Sequence, residues 1–180
     1  MSGNSWNQSI TRLFGDGTAL TNTTTATSIL PGAEKIVLPA NYLFPGIRLR
    51  VKAAGRISTA ASSPGTITFD LRMGSTVVFN GGASGTLATS ATNLTWKLEM
   101  DLHCRAYGAS TSTTLLGTGI LTSAALSSTT PIMLLPTSAP AVGTGVDSTA
   151  SQQIDLFATW SVANASNTIT LHDFELVLPN

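Results

Sequence analysis

From Leu94 to Ala106 the chain alternates apolar and polar residues without a break. Leu94, Trp96, Leu98, Met100, Leu102, Cys104 and Ala106 share one parity, and Thr95, Lys97, Glu99, Asp101, His103 and Arg105 share the other. Only an extended strand places every second side chain on one face, so this segment is a strand with one buried and one wet side, as in an antiparallel sheet. Gly108 ends it. The same period sets Ile47, Leu49, Val51 and Ala53 against Arg48, Arg50 and Lys52, and Ile67, Phe69, Leu71 and Met73 against Thr68, Asp70 and Arg72. Shorter strands are expected over residues 34–38, 76–79 and 114–122.

Near the C-terminus Leu156, Ala158, Trp160 and Val162 alternate with Asp155, Phe157, Thr159 and Ser161, which turns Phe157 outward. Ile169 and Leu171 then have one parity, and Phe174, Leu176 and Leu178 the other. One extra residue near His172-Asp173 reconciles them, which predicts a β-bulge. Turn signals such as Pro45-Gly46, Ser63-Pro64-Gly65 and Gly81-Gly82 separate the strands. No segment has a helical period, and residues 80–93 and 123–152 read as long loops.

About eight strands without helices must bury their apolar faces against each other, which implies an all-β, antiparallel two-sheet β-sandwich. A jelly roll is the first expectation. An immunoglobulin-like sandwich is the second, since it usually needs fewer residues and its Cys…Trp…Cys spacing is missing. The sandwich is assigned to residues 31–180. Residues 1–30, with a Thr-rich tract at 21–27, have no sustained period and read as an extended N-terminal arm. Its scattered apolar residues Trp6, Ile10, Leu13 and Phe14 are candidates for ordering against another subunit.

Charged residues make up only 10% of the chain, against roughly 25% in a typical soluble domain. Ser and Thr, at roughly a quarter of the residues, supply the polar surface instead. Nine basic and nine acidic residues cancel, so no overall charge points to nucleic acid or an anionic membrane as partner. A weakly charged surface promotes association. The start lacks a basic region followed by an apolar run, and no apolar stretch is long enough to span a bilayer, so neither signal peptide nor membrane anchor is expected.

The inventory for chemistry is thin. The one cysteine, Cys104, rules out an internal disulfide framework and has core parity, where a thiol is an inert filler. His103 lies on a charged strand face, and His172 at the expected bulge. Glu99 and Asp101 alternate with Lys97 and Arg105, as cross-strand charge pairing requires, rather than flanking a cleft as a glycosidase pair would. The run Gly81-Gly82-Ala83-Ser84-Gly85 lacks the lysine and helix of a phosphate loop. No catalytic residue, metal site or cofactor is expected. Tyr42, Phe44, Tyr107 and Phe157 are candidate surface contacts, including for a glycan, whereas Trp96 and Trp160 have core parity.

Lys35 to Leu43 (KIVLPANYL), Gly46 to Gly55 (GIRLRVKAAG), Phe69 to Val78 (FDLRMGSTVV) and Thr95 to Leu102 (TWKLEMDL), following the Thr/Ser-rich arm, form a recognisable layout. It resembles the small jelly-roll structural proteins of tailed bacteriophage virions, which include capsid decoration (cement) proteins and head or tail appendage modules. The resemblance covers residues 34–178 and implies a non-enzymatic homotrimer on the capsid surface, its arm gripping the major capsid protein or adjacent decoration subunits. An appendage module that attaches to a host glycan is the alternative the same resemblance implies.

Overall fold

The computed structural model describes residues 7–126 and 131–179. The first strands are β1 (Asn7–Arg12), β2 (Leu20–Thr21), β3 (Thr27–Ser28) and β4 (Val37–Leu38). The long strands β5 (Arg48–Ser58), β6 (Ile67–Met73), β7 (Thr76–Ala83), β8 (Leu94–Ala106) and β9 (Thr113–Ser123) come next. Two short ones, β10 (Ile132–Leu135) and β11 (Ala141–Val146), lead to β12 (Gln152–Trp160) and β13 (Thr168–Pro179). They make two antiparallel sheets packed as a sandwich. The larger has eight strands in the order β1-β13-β5-β8-β9-β10, with β11 also on β9 and β2 on β13. The smaller has five, β3-β12-β6-β7 with β4 on β12.

The alternating segments become strands because each supplies one apolar row to the space between the sheets. Leu49, Val51, Leu98, Met100 and Leu102 come from the large sheet, and Phe69, Leu71, Ile154, Leu156 and Trp160 from the small one; all are buried. Trp96 bridges the layers, its ring centroid 5.2 Å from that of Phe69, and its Nε1–H donates to the Arg56 carbonyl. The chain crosses between sheets from β5 to β6, back from β7 to β8, and again at β11–β12 and β12–β13.

The bulge expected at His172-Asp173 is present: the β13–β5 register shifts between Leu171 and Asp173, so Ile169 and Leu171 before it and Phe174 and Leu176 after it all reach the core. Gly55 lies opposite this point, and a Cβ there would collide with the Thr170 carbonyl.

Two regions differ from the expectation. From Asn7 onward the segment expected to be an arm contributes short strands to both sheets. β1 and β2 pair with β13, β3 pairs with β12, and Ile29 and Leu30 are buried. The edges of both sheets offer unpaired backbone groups, and this segment satisfies them. The expected loop at 123–152 contains β10 and β11, which continue along the far edge of β9. At β11 the two sheets approach so closely that a Cβ on Gly143 would strike the Val78 backbone.

Candidate interaction surface

Strand pairing gathers charge that is dispersed along the sequence. The outward residues of β5 are Arg48, Arg50, Lys52, Ala54 and Arg56, and those of β8 run from Thr95 to Arg105. The register sets Arg48 opposite His103, Arg50 opposite Asp101, Lys52 opposite Glu99 and Arg56 opposite Thr95. Arg50 and Asp101 make a two-point pair, with Nε–H and Nη2–H donating over 2.8 and 3.1 Å. That contact raises the Arg50 pKa further. Cross-strand pairing of Glu99 and Asp101 with basic neighbours is what the alternation predicted. On the far side of β5, Glu175 stands opposite Lys52 and accepts from Arg12 of β1 over 2.8 Å.

Beyond β8 the same outer face becomes aliphatic. Ile120 of β9 is paired with Leu134 of β10, with Ile132 next along β10, and Val142 of β11 is opposite Leu116. Ile120, Ile132, Leu134 and Val142 are exposed by 43, 56, 68 and 60%. The outward positions of β9 between them are Thr114, Thr118 and Thr122, so the strip carries no charge. Large exposed apolar patches are characteristic of association surfaces in proteins generally.

A third feature lies where β1 meets the last residues of β13. An open cleft of about 590 Å³ is lined by Tyr42, Phe44, Ile47, Arg48, Gln8 and Asn41, with Leu178 and Pro179 at its side. It brings together two of the four predicted surface aromatics. Tyr42 is half-buried, which pushes its phenol pKa up, and Phe44 is exposed. Tyr107 is exposed and outside this cleft. Phe157 points outward as predicted but is half-covered, because the Arg72 guanidinium lies 3.8 Å above its ring. Of the four N-terminal candidates, Trp6 lies outside the described residues. Ile10 and Leu13 are half-buried against the core, and Phe14 is exposed by 92%.

The outer face of the small sheet holds internally compensated charges. Asp155 accepts from Ser28 Oγ and from Lys35 Nζ, each at 2.7 Å. Asp70 meets Arg72 only at 3.5 Å, leaving Asp70 Oδ1 and Arg72 Nε without partners. Burial pushes the Asp70 carboxyl above its ordinary range, against the pull of Arg72. The folded protein therefore holds this proton more tightly than the unfolded chain. The cost to folding is absent below the ordinary carboxyl pKa and fully present above the raised one. Asp70→Asn is expected to gain stability relative to the parent as pH rises from about 3.5 to about 7. Urea midpoints across that range check this, and a difference that does not vary with pH contradicts it.

The residues weighed for chemistry do not converge. His172 Nδ1 is 2.6 Å from Asp16 Oδ1 and joins the 13–19 connection to the bulge. His103 lies between Arg48 and Leu116 on neighbouring strands. Cys104 is buried, and burial raises its thiol pKa, which disfavours the reactive thiolate. Among the described residues, no group of three His, Cys, Asp or Glu is placed to hold a metal ion, and no helix is long and apolar enough to cross a membrane. Comparison with protein-family models and with curated proteins finds no match to this chain.

Sequence reasoning missed the aliphatic strip and Asn167. The Asn167 side chain is fully buried, its Oδ1 accepting from Ala60 N–H and its Nδ2 donating to the Pro64 and Val162 carbonyls. It ties the β5–β6 connection to the β12–β13 connection at one end of the sandwich and is a structural residue. The run Ile132 to Leu135, bounded by Pro131 and Pro136, was the available signal for the strip.

Proposed function

We propose that this chain is a non-enzymatic virion structural protein, a capsid decoration or cement protein that stabilises the head shell as a homotrimer seated on the major capsid protein. The observation that carries this reading is the uncharged aliphatic strip across β9, β10 and β11, which a second copy of the chain would cover. Obligate contacts between subunits are rich in such side chains and poor in charge. The nested pairing of β5 with β13 and β6 with β12 supports the finer assignment as a jelly roll, in which the two chain halves wrap around each other. Exposed Phe14, on the turn after β1, is the N-terminal group best placed to touch a neighbouring subunit.

Particles prepared without this chain are expected to disrupt at lower temperature than complete ones, and to regain their resistance when the purified chain is added back. Equal thermal stability with and without the chain contradicts the reading.

The aromatic cleft favours a second one, a host-attachment module on a tail or head fibre. Tyr42 and Phe44 offer ring faces beside the amides of Asn41 and Gln8 and the guanidinium of Arg48, the mixture of groups that recognises a sugar. A glycan array with a hit abolished by Phe44→Ala supports attachment, and an array without hits removes it.

A further inference from the structure

Zero net charge conceals a polarised molecule. Of the nine lysines and arginines, six point outward from the two adjacent strands β5 and β8, where only Glu99 and Asp101 oppose them. The neighbouring strands β13 and β1 add Arg12 against Asp173 and Glu175, which leaves the face with seven cations to four carboxylates, and a cleft of about 240 Å³ sets Arg12, Arg50 and Lys52 around Glu175. The other five acids do not form a face of their own. Asp155 is tied to Lys35, Asp70 to Arg72, Glu34 is buried, and Asp16 and Asp147 sit apart on separate connections.

We infer that the outer face of β5 and β8 is a docking surface for a different protein, one presenting a carboxylate-rich surface whose acidic side chains enter the Arg12–Arg50–Lys52 cleft. A second copy of this chain has no acidic face to offer and would set cation against cation. A uniform polyanion fits poorly too: Glu99, Asp101, Asp173 and Glu175 are interleaved with the cations and repel an unbroken row of phosphates, whereas a protein surface can oppose each with a basic group. Guanidinium groups hold carboxylates by paired hydrogen bonds, the mode Arg50 already shows with Asp101. The inference gives a chemistry to the partner of an assembly subunit. It rests on the charge layout alone, and its test uses the isolated chain, so it stands or falls separately from the shell assignment.

The test follows backbone amide shifts of the ¹⁵N-labelled chain on titration with four probes: a glutamate-rich peptide containing scattered lysines, its charge-inverted counterpart, a short DNA duplex, and phosphatidylserine vesicles. The acidic peptide is expected to give saturable shifts centred on β5, β8 and Arg12, and its inverted counterpart none. Affinity is expected to fall at least about tenfold between about 50 and about 200 mM salt, because screening weakens exposed charge contacts. Lys52→Glu with Arg56→Glu is expected to abolish the shifts while the rest of the spectrum stays that of the parent, both side chains being exposed. No shifts with the acidic peptide, or shifts elsewhere on the molecule, overturn the inference. Tighter binding of DNA or vesicles on this face also overturns it, assigning the face to nucleic acid or to a membrane surface.

Discussion

Trp96→Ala is expected to cost the sandwich about 3–5 kcal/mol, the range for removing a large buried aromatic side chain. Trp96 is 1% exposed, joins the two sheets through Phe69, and satisfies its indole N–H on the Arg56 carbonyl. Alanine leaves a cavity at the junction and removes that donor. Against a total stability of about 5–15 kcal/mol for a domain, this is a large fraction. For a chain of this size it corresponds to a fall in melting temperature of roughly 6–20 °C. Thermal and urea unfolding of the variant measure it. Tyr107→Ala, at an exposed position, is expected to stay within about 0.5 kcal/mol of the parent. A loss below about 1 kcal/mol at Trp96 would mean that the two sheets do not share this contact.

In the proposed homo-oligomer, Ile120→Glu with Leu134→Glu is expected to release monomers without unfolding them. These two residues face each other across β9 and β10 and protrude from the outer surface, so neither substitution disturbs the core. Burying each half-exposed aliphatic side chain in a subunit contact contributes roughly 1 kcal/mol, and the glutamates replace that gain with the desolvation of two like charges per subunit. A weakening of the subunit dissociation constant by at least about 100-fold follows. Sedimentation velocity of the parent and the double variant measures it. A parent chain that is monomeric at every concentration, or a variant that sediments as the parent does, contradicts self-association through the strip.

The parts of this fold that were legible in the sequence are those where one strand face is buried and the other is wet. Residues 94–106 and 47–53 announce themselves by parity, and the switch of parity at His172-Asp173 located a bulge to within one residue. Edge elements lack that contrast. β2 and β3 have only two residues each, too few to show a period. The four residues of β10 form an unbroken apolar run, and two glycines interrupt β11. The candidate surfaces were the least legible. Arg48, Arg50 and Lys52 could be read as one outward row, and Lys97 to Arg105 as another. That the rows are neighbours depends on a β5–β8 pairing that skips two strands of the other sheet. The aromatic cleft likewise depends on Gln8 and Pro179 being brought together by the β1–β13 ladder.

The proposed shell role is decided by cryo-electron microscopy of particles isolated from the source that encodes the chain. Sandwich-shaped density is expected in many symmetric copies over the shell lattice, with the strip of Ile120 and Leu134 between copies. Density confined to a tail or fibre tip, or no density on the particle, would contradict it.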